Sequence, residues 1–257
     1  MLAVSLFIPA NAHGAAKPGP EVGQAIIVSV NGQASYTDAS GQFVPLKPDM
    51  KLDPGATIKT GANSSVVVFL TNNKAQFTVD ASTTITVNKL TATKTGADEV
   101  SETDLEVKDG KITGNVKKLS KASTFNVKTP VGVAGIRGTT FVIHANGVIH
   151  VTSGTVVIVY VNPSNGTSET VTVAAGQTFT PPPNPAAAGA RPTLSVINND
   201  VQNTITTEVK QMTKVVSSSE VVKVVMTPST EPRTGTKTTT VTIEPVEPPL
   251  SGGTGSK

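Results

Sequence analysis

The chain has 257 residues, of which 4% are aromatic and 15% are charged, and it contains no cysteine and no tryptophan. The lack of cysteine excludes disulfide bonds, thiolate zinc sites and cysteine nucleophiles. The 21 basic and 18 acidic residues give a net charge of +3, and no basic cluster stands beside stacking aromatic residues, which argues against nucleic-acid binding.

The first residues resemble the end of a secretory signal peptide. Leu2 to Ile8 form a short apolar run, and Ala10-Asn11-Ala12 has the small-x-small pattern of a cleavage site, although no basic residue precedes the run. We interpret residues 1–21 as a signal-peptide remnant and leader; the alternative is a plain hydrophobic terminus. No stretch approaches the ~20 apolar residues of a spanning helix. We therefore expect a periplasmic or secreted protein without a membrane span in its mature chain.

Residues 22–180 have the pattern of an all-β domain. Short alternations of apolar and polar residues, rich in valine and threonine, are broken about every 8 to 12 residues by Gly, Asn or Asp. The pairs Asn31-Gly32, Asp109-Gly110 and Asn146-Gly147 indicate two-residue hairpin turns, because they tolerate positive φ angles. The polar residues 91–102 are typical of an exposed loop. We predict a β-solenoid-like or sandwich-like stack of short strands.

The composition changes after residue 180. Residues 181–192 are rich in proline and alanine and predict a linker. In residues 193–217 apolar side chains recur in steps of three and four, which predicts an amphipathic helix. This helix could dock on the domain's own sheet or pair with another chain, and its many Thr, Asn and Ser residues also leave open that no stable helix forms. Residues 218–257 predict a low-complexity, partly disordered tail.

The segment from Phe125 to Val142 carries the most specific pattern. It reads Phe-Asn-Val-Lys-Thr-Pro-Val-Gly-Val-Ala-Gly-Ile-Arg-Gly-Thr-Thr-Phe-Val and resembles the signature of FecR domains, in which a strand ending in Thr-Pro leads through a glycine-punctuated apolar segment to an Arg-Gly-Thr-x-Phe strand. Residues 52–60 and 171–177 are similar to the family's flanking elements. The motif residues are Thr129, Pro130, Gly132, Gly135, Arg137, Gly138, Thr139 and Phe141.

The resemblance implies a FecR-type β domain over residues 22–180. The best-known members are sensor proteins with a cytoplasmic sigma-regulating segment and one membrane helix before the domain, and neither is recognisable here. The resemblance therefore implies the domain but not the signalling role. A smaller departure is Asn72-Asn73, where the family often has Asp-Gly, and asparagine also tolerates positive φ.

The motif can also be interpreted from its residue types alone. Gly132, Gly135 and Gly138 allow tight turns or the close approach of another backbone. The guanidinium of Arg137 could satisfy carbonyls or a carboxylate within the fold, or it could contact a ligand or partner. A phosphate-binding loop is disfavoured, because the spacing is not G-x-G-x-x-G and a strand follows instead of a helix.

Catalytic and metal-binding constellations are not recognisable. With a two-residue loop at Asn146-Gly147, His144 and His150 would lie on opposite faces of the hairpin and could not share one ion. Neither histidine stands beside a nucleophile elbow or an acidic orienter. A solvated charge run is the better interpretation of the acidic residues Asp98, Glu99, Glu102, Asp104 and Glu106, because no aromatic platform for a sugar accompanies them. We expect no enzyme activity, no cofactor and no bound metal.

These observations favour an exported, non-catalytic binding or sensing module of the cell envelope. Its partner would be another envelope protein or a cell-envelope polymer, and not a nucleic acid. The alternative is a structural or surface assembly subunit, a homo-oligomer that associates through strand edges or through the C-terminal helix.

Overall fold

The computed structural model describes residues 19–38, 40–95 and 98–226. The apolar run and cleavage pattern of the predicted signal peptide, His13, and residues 227–257 of the predicted tail lie outside the described residues. Within the described part of the chain, no helix is long and apolar enough to cross a membrane.

The domain is built from short strands followed by two helices. The strands are β1 (Glu21–Val22), β2 (Ala25–Asn31), β3 (Ala34–Thr37), β4 (Phe43–Pro45), β5 (Lys51–Leu52), β6 (Thr57–Thr60), β7 (Ser65–Leu70), β8 (Gln76–Val79), β9 (Thr84–Thr95), β10 (Asp98–Asp109), β11 (Lys111–Asn115), β12 (Thr124–Thr129), β13 (Gly132–Ile136), β14 (Thr140–His144), β15 (Ile149–Ser153), β16 (Thr155–Val161), β17 (Ser168–Ala174), β18 (Gln177–Thr180) and β19 (Thr193–Val196). The helices are α1 (Asn199–Ser218) and α2 (Glu220–Met226).

The described strands form two sheets, which confirms the predicted all-β, sandwich-like stack. Sheet A has the order β17-β16-β13-β12-β10-β9-β6-β3-β4, with β1 paired to β9, and sheet B has the order β19-β18-β15-β14-β11-β8-β7-β2-β5. Apart from the parallel pair of β10 and β12, the pairings in this part of the chain are antiparallel. The chain passes repeatedly from one sheet to the other, so the strands stack along the sandwich in approximate chain order.

Two of the predicted hairpin turns are wrong, because they are corners between the sheets. Gly32 and Gly110 have φ angles of 77° and 75°, as the turn residues suggested. However, Gly32 joins β2 of sheet B to β3 of sheet A, and Gly110 joins β10 of sheet A to β11 of sheet B. A corner needs the same left-handed backbone as a tight hairpin, so the residue types alone do not separate the two.

The hydrophobic core fills the space between the sheets. Four phenylalanines are among its largest fully buried side chains, Phe77, Phe125, Phe141 and Phe179. The ring of Phe141 in β14 lies over Gly114, its register partner in β11, at a place where a side chain on residue 114 would collide with the ring. The small glycine thereby makes room for the large aromatic side chain across the strand pair.

The predicted exposed loop at residues 91–102 is wrong, because residues 91–95 and 98–102 extend the pair β9–β10. Ala92 pairs with Ser101, and the side chains of both are buried. The threonines here favour a strand, but the buried residues of the alternation are small and only weakly hydrophobic. A pattern of hydrophobic residues therefore does not show the alternation.

The helix α1 docks on the outer face of sheet B. Met212 and Val216 pack with Ile26 and Phe69, and Ile205 packs with Val142. This arrangement agrees with the first of the three alternatives, because the chain's own sheet covers the apolar stripe. The helix begins after the N-cap Asn198, and residues 193–196, which the apolar periodicity assigned to the helix, pair with β18 as a strand instead.

Candidate functional site

The first half of the signature motif forms a hairpin. Thr129 at the end of β12 pairs with Gly132 at the start of β13, and Pro130 and Val131 form the two-residue loop. The hydroxyl of the buried Thr129 donates a hydrogen bond to the carbonyl of Gly132 over 3.2 Å. These contacts hold the loop from within the domain.

The two glycines of β13, Gly132 and Gly135, differ in how closely the neighbouring strand packs against them. A Cβ atom on Gly132 would lie 3.1 Å from the Cα of Tyr160 on the neighbouring β16, so the two strands approach closely there. At Gly135 the nearest atom to such a Cβ would be the carbonyl oxygen of Val157 at 3.6 Å, which is an ordinary contact. Close packing therefore explains Gly132 but does not require a glycine at position 135.

The second half of the motif forms a corner and enters the core. Gly138, with a φ of 80°, takes the chain from sheet A to sheet B, and the backbone of Lys118 packs against it. The hydroxyl of the buried Thr139 donates to the carbonyl of Thr155 over 2.9 Å, and Phe141 is fully buried. Arg137 is exposed, and its Nη2 donates to the carbonyl of Lys121 over 2.8 Å.

The predicted separation of the two histidines is wrong. Ile143 pairs with Ile149, and the amide of His144 donates to the carbonyl of Val148, so the turn encloses the three residues 145–147 and not two. This register places His144 and His150 on the same face, because moving a pairing by one residue turns a side chain to the other side of the sheet. Their rings lie 5.7 Å apart between centroids in an edge-to-face arrangement.

Both imidazoles line a cleft of about 340 Å³ between sheet B and α1. Val142 and Ile205 form its apolar part, and Lys111, Asp200 and Glu208 bring charges to its wall. On the side of His150 away from His144, Nδ1 lies 2.9 Å from the hydroxyl oxygen of Thr178. Two imidazoles, one lysine and two carboxylates therefore line this one cleft.

Burial controls the titration of this cluster. It lowers the pKa of His144 to about 4, helped by the nearby His150 and the positive charge of Lys111. Burial and Lys111 also lower the pKa of His150. Burial raises the pKa of Asp80, which lies 3.9 Å from the Nζ of Lys111 and accepts a hydrogen bond from Thr113. At neutral pH the imidazoles are therefore uncharged.

The cleft does not assemble a catalytic triad or a metal site. Among the described residues, no carboxylate hydrogen-bonds to either imidazole, so a histidine base would have no acidic orienter. The described part of the chain also contains no group of three or more His, Asp or Glu side chains that could hold a metal ion.

The cleft leads to a prediction about stability in mild acid. An unfolded histidine takes up a proton near pH 6.5, whereas His144 in the folded state does so only near pH 4. The unfolded state therefore binds more protons in this window, and the free energy of unfolding should fall as the pH decreases from 6.5 to 4. We expect His144→Gln to show a smaller decrease in Tm between pH 7 and pH 4.5 than the wild type.

Thermal unfolding followed by circular dichroism measures the decrease in Tm between pH 7 and pH 4.5 for the wild type and for His144→Gln. The raised pKa of Asp80 acts in the opposite direction, since its carboxyl group gains its proton more easily in the folded state, but it is present in both proteins. Equal decreases in Tm for the wild type and His144→Gln would contradict the prediction.

The outer face of sheet A carries a second feature, an acidic stripe on β10. Glu102, Asp104 and Glu106 alternate with buried residues and point away from the core. Lys89 forms an ion pair with Glu102, and the Nζ of Lys128 lies 3.7 Å from Glu106. The acidic residues are thus a solvated, partly paired surface.

On the far side of β12 from this stripe lies an exposed apolar surface, the valine strip, formed by Val133 of β13 and Val157, Val159 and Val161 of β16. Each side chain is 38–42% exposed, and Val133 pairs directly with Val159. The sequence pattern alone did not predict this surface. The run Val156–Val161 could have indicated it, because this run is apolar at every position. A strand of this kind has an apolar outer face as well as an apolar inner face.

Among the comparisons with known proteins, the match to a family model agrees with the motif. The family model described as FecR protein matches residues 56–162. Two crystal structures of a "putative anti-sigma factor" from Parabacteroides distasonis ATCC 8503, at 1.65 and 2.50 Å resolution, are each 15% identical to this chain with a TM-score of 0.42. The similarity covers 55% of this chain and 60% of the length of those structures. Among curated proteins, none matches this chain.

Proposed function

We propose that this chain, whose residues 56–162 match the FecR family model, is a non-catalytic binding or sensing module of the cell envelope, located in the periplasm or secreted. The single observation that supports this role most is the valine strip on the outer face of sheet A. The motif residues other than Arg137 serve the fold in this proposal, since they form the hairpin, the corner and part of the core. Of the motif residues, Pro130 and Arg137 are exposed, and Arg137 is the one whose side chain carries hydrogen-bond donors that a partner could use.

The two outer faces of the sandwich differ in what covers them. On sheet B the helix α1 buries the apolar residues Ile26 and Phe69. On sheet A no described element covers the valine strip. Contiguous exposed apolar residues with a polar surround mark interaction surfaces more often than isolated exposed residues do. This contrast supports the outer face of sheet A as the binding surface.

The chemistry of the strip favours a protein partner over an envelope polymer. Sugar polymers are bound through aromatic platforms and dense hydrogen-bonding groups, whereas the strip offers branched aliphatic side chains. The neighbouring lysines and carboxylates, such as Lys128 and Glu106, would form a polar rim around an apolar centre. We therefore expect a protein with an exposed apolar patch.

The experiment compares two double variants with the wild type. We expect Val157→Lys with Val159→Lys to lose an envelope protein that the tagged wild-type chain retains from an envelope extract, as identified by mass spectrometry. The matched control is Thr93→Lys with Thr124→Lys, which adds the same charges to the same sheet outside the strip. Thermal unfolding confirms that all three proteins are folded.

Two results would contradict the proposal. One is equal retention of the same proteins by all three chains, which would leave no role for the strip. The other is fractionation of cells that places the chain in the cytoplasm, which would remove the envelope assignment.

The alternative, a structural or surface assembly subunit, now has one route left. Association through the C-terminal helix would need the apolar stripe of α1, and sheet B already covers Met212 and Val216. Association through strand edges remains available, since each sheet ends in a strand that is paired on one side.

A further inference from the structure

We propose that two copies of this chain associate at the end of the sandwich formed by β17 and β19, so that both sheets continue from one copy into the other. This inference goes beyond the binding role, because it requires neither the valine strip nor an envelope partner. It rests on the two strand edges, on the partly open end of the core between them, and on a register of β17 that brings no charged residue into the pair.

The two edges lie at the same end of the molecule. Sheet A ends at β17 and sheet B ends at β19. The strand β17 contacts β18 and β15 of the opposite sheet, and the rings of Tyr160 and Phe179 lie 6.1 Å apart across the two layers next to these edges. Both sheets are therefore open at one common end.

The described residues leave the core partly uncovered at this end. Leu194 pairs with the buried Phe179, and Val196 pairs with Gln177, so both apolar side chains of β19 face the layer between the sheets. They are nevertheless 44% and 85% exposed. On the opposite sheet, Val171 of β17 packs against the same core and is only partly buried. A second copy would cover these residues on both sheets.

The opposite end of the sandwich shows what a protected end looks like. Its edge strands are the three-residue β4, which contains Pro45, and the two-residue β5. Short strands and prolines are common ways in which proteins prevent pairing at a sheet edge. The seven-residue β17 contains no lysine and no proline, and its one charged residue is Glu169 near its start.

One register of β17 pairs two copies without any charge. If Thr172 faces Thr172 of the second copy in an antiparallel pair, Val171 faces Val173 and Thr170 faces Ala174. The valines then meet on the core side and the threonines on the outer side, which are favourable cross-strand combinations. Glu169, which lies beside the linker residues 187–191, stays outside this register.

A second copy fits this end better than a single partner strand. A twofold axis perpendicular to the sheets places β17 against β17 and β19 against β19 at once, each in an antiparallel arrangement. A single extended peptide could add to only one of the two edges. The exposure of Leu194 and Val196 on the second sheet would then persist.

The mass of the full chain in solution tests the dimer. We expect light scattering coupled to size exclusion to give twice the chain mass for the wild type and for the control Thr124→Lys. In Thr172→Lys two like charges would face each other, and the dimer dissociation constant should rise at least about fivefold. A monomeric wild type over the concentration range from about 1 to 100 μM would overturn the proposal, and so would a dimer that Thr172→Lys leaves unchanged.

A cysteine scan locates the contact, since the chain has no cysteine of its own. Directly opposed residues of an antiparallel pair lie within the Cα separation that a disulfide spans. We expect Thr172→Cys to form a disulfide-linked dimer about 100-fold faster than Thr124→Cys under mild oxidation, because dimerisation raises the local thiol concentration. Equal rates for the two variants, or a fast reaction of Thr124→Cys, would overturn the proposed interface.

Discussion

Replacing Gly154 by alanine is expected to lower the free energy of unfolding by about 3 kcal/mol, from the cost of a left-handed alanine and the overpacking of the corner. Gly154 joins β15 of sheet B to β16 of sheet A with a φ of 78°. An added Cβ would press on the carbonyl oxygen of Gly138 and would lie 3.0 Å from the Cα of Thr139. Two corners of the chain meet here, so neither backbone can move away freely.

The control is Gly166→Ala in the loop between β16 and β17. Gly166 has a similar φ of 72°, but no atom lies within 4 Å of the position that its Cβ would take. In Gly166→Ala the only cost is that of a left-handed alanine, so the free energy of unfolding should fall by about 1 kcal/mol. Urea denaturation measures both losses. If Gly154→Ala lost no more than Gly166→Ala, close packing between the corners would not be the reason for the glycine.

The same corners explain which part of the fold the sequence could predict. The strands were visible because valine and threonine alternate, and the position of Gly110 was visible as a turn. Whether Gly110 reverses the chain within one sheet or passes it to the other depends on the partners of β10 and β11, which are distant in sequence. Local residue types indicate where φ is positive, but they do not indicate which strands pair. The sandwich class could therefore be predicted from the sequence, whereas its strand order could not.

The relative position of the two histidines depends on the length of one loop. One additional residue, Ala145, in the loop before Asn146-Gly147 brings His144 to the same face as His150, and a sequence pattern does not fix loop length at that precision.

The docked helix was predictable from its apolar stripe, whereas the start of that stripe at Leu194 belongs to a strand. A step of three between Leu194 and Ile197 fits a helix, yet the edge of β18 offered residues 193–196 a pairing partner.

Replacing Phe141 by alanine should cost about 4 kcal/mol of the free energy of unfolding, which is within the range for a buried phenylalanine. The ring is fully buried in the core, and the residue beneath it is Gly114, which has no side chain to move into the space left behind. The control is Phe43→Ala, because Phe43 is 53% exposed on the edge strand β4 and should lose less than about 1 kcal/mol.

A double-mutant cycle tests whether the ring and the glycine depend on each other. In the wild type, Gly114→Ala would place a methyl group 2.9 Å from two ring carbons of Phe141 and should therefore destabilise the protein. In the Phe141→Ala background the same methyl group would fill part of the cavity, so Gly114→Ala should now stabilise it. Urea denaturation of the four proteins measures the change of sign. Additive effects would mean that the backbone at position 114, and not the aromatic ring across the strand pair, requires glycine.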